Sequence, residues 1–469
     1  MKPKTTPPVA IVGAGFAGSL TAAHLLRNAS EPLDVCLIER RPPFGVGTAF
    51  HTPLPCHLLN VPAVRMSAYP DDPEHLLRWL HSRGPSKAEG AEHASGETFL
   101  PRRLYGEYIE HTLNEAARGS HARLTRIIGE AIAIEPDAAG AKPKIRLRDG
   151  SAIEASFVVV AIGNPPPSDP LRDGGLRGSA RYAADPWDDK ALDGLFPGDT
   201  VMTIGSNLTM VDVALTLDYR NHKGPIVAVS THGLLPQPHR TNLLPAWPSR
   251  IDGSPGGPRD LLRAMREEVR LASEGGTEWR PVVDSLRPRT GSIWASWPEK
   301  ERRRFLRHAR PYWEIHRHRM APENAKAIQA LLDAGRLRVV AGRIAGVKEA
   351  KDAVEVRIAG RRGARAETVR VARVVNCTGP GMDLRSSRDP LVRDLFARGL
   401  ACPGPLGLGF DADRDGALIG SGGRPSPALF TLGPPLKGRY WETTAIPEIR
   451  VQAQALALRL AKGAHGSRA

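Results

Sequence analysis

The segment Val9–Arg40 restricts the fold more than any other part of the chain. Val9 to Val12 form an apolar run that suits a buried parallel strand. Gly13, Gly15 and Gly18 follow in G-x-G-x-x-G spacing, then small and apolar residues at helical periodicity, then a second apolar run, Val35–Ile38, closed by Glu39. In a strand–turn–helix that holds a dinucleotide, each glycine has its own task. Gly13 permits the tight turn, Gly15 lets a pyrophosphate approach the backbone, and Gly18 lets helix and strand touch. Phe16 and Ala17 open the helix with backbone amides that attract phosphate oxygens. Glu39 follows Gly18 by 21 residues and is placed to accept hydrogen bonds from a ribose diol, with Arg40 beside it. Glycine spacing alone is a weak signal; strand, glycines, helix, strand and acid in that order are a strong one.

At 469 residues the chain exceeds the usual single core, so two domains are expected. It has no apolar run long enough to span a membrane. MKPKTTPP lacks an apolar stretch, so no signal peptide is expected. The four cysteines, Cys36, Cys56, Cys377 and Cys402, show neither C-x-x-C nor zinc spacing, which fits a reducing cytoplasm and no metal centre. A formal net charge of +15 raises nucleic acid as a partner, but the excess is spread along the chain without a recognition motif or basic tail. Cofactor phosphates and an anionic small substrate are the preferred reading, with a homo-oligomer left open.

After Glu39 comes a long loop rich in Pro and Gly, of the kind that is usually functional. It is placed to run toward the rest of a bound dinucleotide. Asn60, Val61 and Arg65 are its candidates, Asn60 and Arg65 for catalysis, although both read equally well as turn-stabilising side chains. A helix is expected from Asp72 through Leu80, a surface loop at 82–98, and a helix at 104–117. Short strands follow near 131–134 and 145–147, and a buried strand ends at Gly163 before three prolines.

A second strand–turn–helix begins at Thr200, with Gly205 in the first glycine position and Ser206, Asn207 and Thr209 behind it. Met210 stands where a third glycine would be, and Asn207 is the best non-glycine substitute for a left-handed turn residue. Beyond the next strand, Thr231, His232, His239 and Arg240 are candidates for a ribose or a 2′-phosphate. Residues 255–325 read as a helical insertion, and five of the eight tryptophans fall between Trp247 and Trp313. Such a concentration marks either a small core of its own or a lid. In PYWEIHRHRM, His316 and His318 lack a third metal ligand, so Arg317 and Arg319 read as a solvated basic face or an anion site. Strands resume at 337–340 and 353–358, with a polar turn at 361–365. Another buried strand, 371–376, leads into Cys-Thr-Gly with Thr378 and Gly379. A last strand ends at Gly433, ahead of a long helix near Pro447 whose N-terminus suits an electron-rich ring.

This order of motifs resembles the two-dinucleotide-binding-domain flavoproteins, which include glutathione reductase-like enzymes and class B flavin monooxygenases. More narrowly, it is similar to the FAD-NAD(P)-binding family of bacterial oxidoreductases, through IVGAGFAG, HLLNVPA, IGSNLTMVDVAL, RPYWEIHRHRMAP, VVNCTGP and YWETTAIPEIR. The resemblance implies an α/β fold of two Rossmann-like domains, the second inserted in the first: residues 1–167 and 372–469 for FAD, 168–371 for NAD(P)H with the helical insertion. It implies FAD at Gly13, Gly15, Gly18 and Glu39, with Asn60, Gly163, Thr378, Gly379, Gly433, Thr443 and Thr444 near the flavin and Glu442 near the ring or substrate; the basic insertion itself makes Arg317 and Arg319 the candidates for an anionic substrate. NAD(P)H, with NADPH favoured, falls to the Gly205 turn. Some relatives are amino-acid N-oxygenases, which implies a monooxygenase using molecular oxygen through a flavin hydroperoxide on a nitrogen or sulfur nucleophile. The alternatives are a flavin reductase with another acceptor and a non-catalytic flavoprotein. A disulfide reductase is disfavoured because no cysteine pair is present.

Overall fold

The computed structural model describes residues 7–83, 94–137, 142–171, 175–242, 244–251, 255–361, 363 and 365–466. Residues 1–6, residues 84–93 of the expected 82–98 loop, and Arg362 and Ala364 of the expected 361–365 turn lie outside that set.

The first half starts with β1 (Val9–Val12), α1 (Phe16–Arg27) and β2 (Asp34–Glu39). A short α2 (Gly47–Phe50), α3 (His75–Arg83) and α4 (Arg102–Arg118) lead into β3 (Arg123–Ile128). An antiparallel three-stranded sheet, β4 (Ala131–Glu135), β5 (Lys144–Leu147) and β6 (Ala152–Glu154), precedes β7 (Phe157–Val160). All four residues of β1 are buried because β2 and β7 flank it in parallel and both faces are covered. On one face, α1 packs through Ala17, Leu20, Ala23 and Leu25 with Tyr105 and Tyr108 of α4 and with the last helix of the chain.

After β7 the chain crosses to a second sheet. It contains β8 (Tyr182–Ala183), β9 (Val201–Ile204), α5 (Leu208–Tyr219) and β10 (Ile226–Ser230). The insertion α6 (Pro258–Glu274), α7 (Trp279–Ser285), α8 (Thr290–Ser296), α9 (Glu299–Arg304) and α10 (Arg310–Arg317) follows β10. A single π turn, Phe305–Ala309, joins α9 to α10 where Pro311 has no N–H to continue the ladder. Next come α11 (Pro322–Asp333), β11 (Leu337–Glu349), β12 (Val354–Gly360), β13 (Glu367–Val371) and β14 (Arg373–Asn376). The order of the second sheet is β13-β12-β11-β10-β9-β14-β8.

β14 pairs with β9 in parallel, so it belongs to the second sheet, and a boundary at residue 372 cuts one strand too early. The return follows it: Pro167 and Pro380 form an antiparallel bridge where the outgoing and incoming segments run side by side. α12 (Pro390–Ala397), β15 (Ala417–Ile419) and β16 (Pro425–Thr431) then complete the first sheet, and α13 (Ile446–Gly466) closes the fold against α1. The order of the first sheet is β15-β16-β7-β1-β2-β3. Among the described residues, no helix is long and apolar enough to cross a membrane.

Candidate functional site

The turn after β1 is shaped by close contact. Gly13 has φ +101°, and a Cβ there would lie 2.3 Å from the carbonyl oxygen of Ala161, at the end of β7. A Cβ on Gly18 would lie 1.8 Å from the Gly13 oxygen, so nothing larger lets α1 start here. The loop after β2 folds back onto this turn, with Gly45 N–H donating to the Ala14 oxygen (2.8 Å) and Gly47 packed against Gly15. Glu39 Oε2 accepts from the Ala14 amide at 2.7 Å and Oε1 from the Arg41 amide at 3.2 Å. These bonds fix the carboxylate and leave lone pairs for a diol. Gly433 lies across the start of α1, near Ala17 and Ile449. A glycine-walled turn, a helix N-terminus and an oriented acid fit the adenosine diphosphate end of FAD.

The remaining candidates of this half have the following surroundings. Phe16 packs its ring into the core against Phe50 and Tyr105, which leaves its amide for the site. Arg40 is exposed and reaches Asp389 at 3.5 Å. Gly163 and Gly379 stand at the two chain crossings with open space where a Cβ would be. The Thr378 hydroxyl donates to Asn376 Oδ1. Thr443 is buried with its hydroxyl donating to the Gly433 oxygen, and Gln452 accepts from the Gly433 amide, so this pair builds the terminal turn. Thr444 is half-buried just before α13.

The second turn repeats the first. Gly205 has φ +113°, and its Cβ would lie 2.3 Å from the Cys377 oxygen at the end of β14. Asn207 is not left-handed. Its φ of −95° is extended, and its Oδ1 caps α5 by accepting from the Leu208 amide at 2.9 Å. Ser206 is buried, bonded to Ser230 Oγ at 2.8 Å and to the Leu234 oxygen, so its hydroxyl anchors β10 and is not free for a ligand. Thr209 is half-buried in the first turn of α5, and Met210 is fully buried. Half-buried Thr231 and His232 lie at the end of β10, where His232 meets the Tyr312 ring. Burial lowers the His232 pKa, and Arg361 and Arg343 add to the shift. Arg343 stands in β11 and Arg361 opens the polar turn after β12, and only the fold brings the two arginines beside His232. His239 and Arg240 leave that group: His239 bonds to the Asn60 oxygen at 3.0 Å, and Arg240 faces Glu278 at 3.5 Å.

The insertion is fastened to the terminal segment. Trp441 inserts among Trp294, Trp297 and Phe305, and Trp294 Nε1–H donates to the Gly438 oxygen at 2.9 Å. Arg287 grips Glu448 through two bonds, 2.6 and 2.8 Å long. Arg317 and Arg319 are buried, not a solvated face: Arg317 Nη2 lies 3.3 Å from Glu442 Oε2, and Arg319 bonds to Asp284. Trp313 Nε1–H also donates to Glu442 at 2.9 Å. Burial works against ionisation of Glu442, but Arg317, His318 and this bond together hold its pKa below the usual carboxylate value. Arg65 reaches Asp284 at 4.0 Å, so one catalytic candidate joins the same network, while Asn60 contributes its backbone oxygen to His239. A cavity of about 20 Å³ among Trp294, Trp297, Phe305 and Trp441 has room for little more than one water and is a void of this small core.

Residues 10–165 match the family model described as FAD-NAD(P)-binding. No curated protein matches the chain by sequence. Among solved structures, an ornithine N-hydroxylase from Kutzneria sp. 744 is similar over 99% of this chain and 100% of its own, at 15% identity and TM-score 0.65. An L-lysine 6-monooxygenase from Pseudomonas syringae is similar over 97% and 99%, at 16% identity and TM-score 0.65. A thioredoxin reductase from Lactococcus lactis is similar over 98% and 99%, at 12% identity and a lower TM-score of 0.52. The chain therefore has the fold of these solved structures, and its residues 10–165 are similar to the FAD-NAD(P)-binding family.

Proposed function

We propose that this chain is an FAD-dependent, NAD(P)H-oxidising monooxygenase that oxygenates a nucleophilic nitrogen of a small, amino-acid-like molecule. The observation that carries this reading is the pair of glycine turns, each seated on a strand end by a contact that excludes any side chain. The full-length likeness to N-hydroxylating monooxygenases supports it over the reductase branch. So do the thiols: the cysteines are unpaired, and burial pushes Cys56 up to about 11, which disfavours the thiolate a dithiol reductase needs.

Bound FAD would supply the redox chemistry, accepting a hydride from NAD(P)H and delivering electrons to oxygen. The protein's part is to hold and to enclose. Glu39 orients the adenosine ribose, Gly13, Gly15 and Gly18 admit the pyrophosphate, and the fastened insertion covers the terminal segment with aromatic side chains. Arg343, Arg361 and His232 at the end of β10 favour a 2′-phosphate, hence NADPH. The polar network of Arg65, Asp284, Arg319, Arg317 and Glu442 is the place for a charged substrate group. No sequence-level triad is needed in such a scheme.

The test is anaerobic mixing of the yellow protein with NADPH or NADH, followed by oxygen and a panel of amines and amino acids. Bleaching by NADPH, then formation of a hydroxylated amine, is the expected outcome. Failure to bleach with either nucleotide removes the catalytic reading. Bleaching followed only by hydrogen peroxide release, whatever the amine, would favour a reductase. Arg361→Ala should weaken NADPH binding by about tenfold, the value of one charged contact, and leave NADH unchanged.

A further inference from the structure

The two halves of the molecule meet at a built joint, one helical turn beyond the second glycine turn. His57, in the loop after β2, is buried, and both of its ring nitrogens are engaged. Nδ1 faces Thr52 Oγ1 at 2.6 Å, and Nε2 faces Thr216 Oγ1 at 2.9 Å and the Asp212 carbonyl oxygen at 3.2 Å. Because the Thr216 hydroxyl already donates to that same carbonyl, Nε2 must be the donor and Nδ1 the acceptor. Beside it, Arg102 at the start of α4 grips the Asp212 carboxylate with both terminal nitrogens, each at 3.0 Å, and its Nε–H donates to the Leu58 oxygen at 3.1 Å. Trp187 of the second half lies beside both, with its ring 5.8 Å from the guanidinium and 6.3 Å from His57. Asp212 is 5% exposed, so the pair is shielded from solvent screening.

The placement of these groups gives the joint a purpose. Asp212 and Thr216 sit on α5, the helix that Asn207 caps, so Asp212 is about 7 Å along the axis from the second glycine turn. His57 belongs to the loop after β2 and Arg102 opens α4, both in the first half, with the Arg102 N–H donating to the His57 oxygen at 2.8 Å. A planar fork on a carboxylate fixes angle as well as distance.

We infer that Arg102, Asp212 and His57 are positioning residues that set the second nucleotide unit against the first, and so fix the approach of NAD(P)H to the flavin. This rests on the function proposed above. Hydride leaves the nicotinamide, which becomes oxidised as the flavin is reduced, only across a short and oriented gap. A displacement near 1 Å is enough to slow such a step by about a hundredfold.

The test uses Asp212→Asn, with Arg102→Met/Asp212→Leu as a variant that leaves no buried charge unpaired. Expected in both are a flavin content and an NADPH dissociation constant within about twofold of wild type, with a limiting anaerobic reduction rate lower by about ten- to a hundredfold. Reoxidation in air after dithionite reduction, which does not need the second unit, should be unchanged. Amide hydrogen exchange, read without any substrate, should rise over residues 52–60 and 208–219 and stay constant over β1 and α1. Unchanged limiting reduction in both variants overturns the inference, as does an equal slowing of reoxidation. A wild-type flavin that neither nucleotide reduces overturns the proposed function, and the inference with it.

Discussion

A methyl group on Gly13 or on Gly205 would meet a carbonyl oxygen at 2.3 Å, that of Ala161 in the first case and of Cys377 in the second. Both residues also hold a positive φ that costs an L-residue roughly 1 kcal/mol before any clash. The two positions therefore make a matched pair of experiments. Gly13→Ala should give a protein with flavin absorbance per chain reduced more than about tenfold, the clash being with backbone that cannot yield. Gly205→Ala should keep its flavin and lose rapid reduction by NADPH. Equal flavin loss in both would mean that the turns do not serve separate nucleotides. At this scale the sequence was legible where glycine is sterically required and misleading where a side chain had two possible uses. Asn207 reads as a left-handed turn residue, whereas its backbone is extended and its side chain caps α5. Ser206, Thr443 and His239 read as ligand contacts because their local partners, Leu234, Gly433 and Asn60, are brought in by the fold.

Among elements, the insertion depends on a residue far from it in sequence. Trp441 is 5% exposed, with its ring centroid 5.0 Å from that of Trp294 and 5.1 Å from that of Phe305. Truncation of a buried tryptophan costs about 3–5 kcal/mol. Trp441→Ala should therefore loosen α6–α10 as a unit, read as faster limited proteolysis within 255–325 and altered tryptophan fluorescence, with flavin content nearly kept. An unaltered cleavage pattern would show that the insertion holds its shape alone. The tryptophan density marked this core, but its eighth member lay outside the segment and could not be assigned to it. The parallel strands β1, β2, β7, β9 and β10 were legible because burial on both faces makes them continuous apolar runs. β3 was not, because its pattern Arg-Leu-Thr-Arg-Ile-Ile belongs to a sheet edge with four of six residues exposed. α12 escaped because it is a two-turn helix, with a start marked by Asp389 capping the Leu391 and Val392 amides and by Pro390 in the first helical position.

For the whole molecule, acid is the condition that should act on several joints together. Among the described residues, His24, His57, His75, His232, His239 and His318 all titrate below the ordinary histidine value, in each case chiefly because burial disfavours the charged ring. His24 falls to about 4 and His239 to about 3. His57 and His239 join the two halves, while His24 is wholly buried in α1 against Tyr69. In the unfolded chain these rings take up protons as pH falls below about 6.5, and in the native chain they do not. The unfolded state then binds more protons, so stability declines with falling pH, beginning near 6.5 and continuing to about 4 for His24 and about 3 for His239. At pH 5 the loss is about 2 kcal/mol for each of these two. Carboxylates with lowered values, such as Asp72 and Asp383, add their loss only below their own unfolded value, so the histidine window is separable. The urea midpoint of the wild type should thus be clearly lower at pH 5 than at pH 7.5. His24→Leu/His239→Gln should keep most of its pH 7.5 midpoint at pH 5, because leucine adds no proton and glutamine can still donate to the Asn60 oxygen. A wild type with the same midpoint at both pH values would mean that these rings are protonated as readily in the fold as outside it.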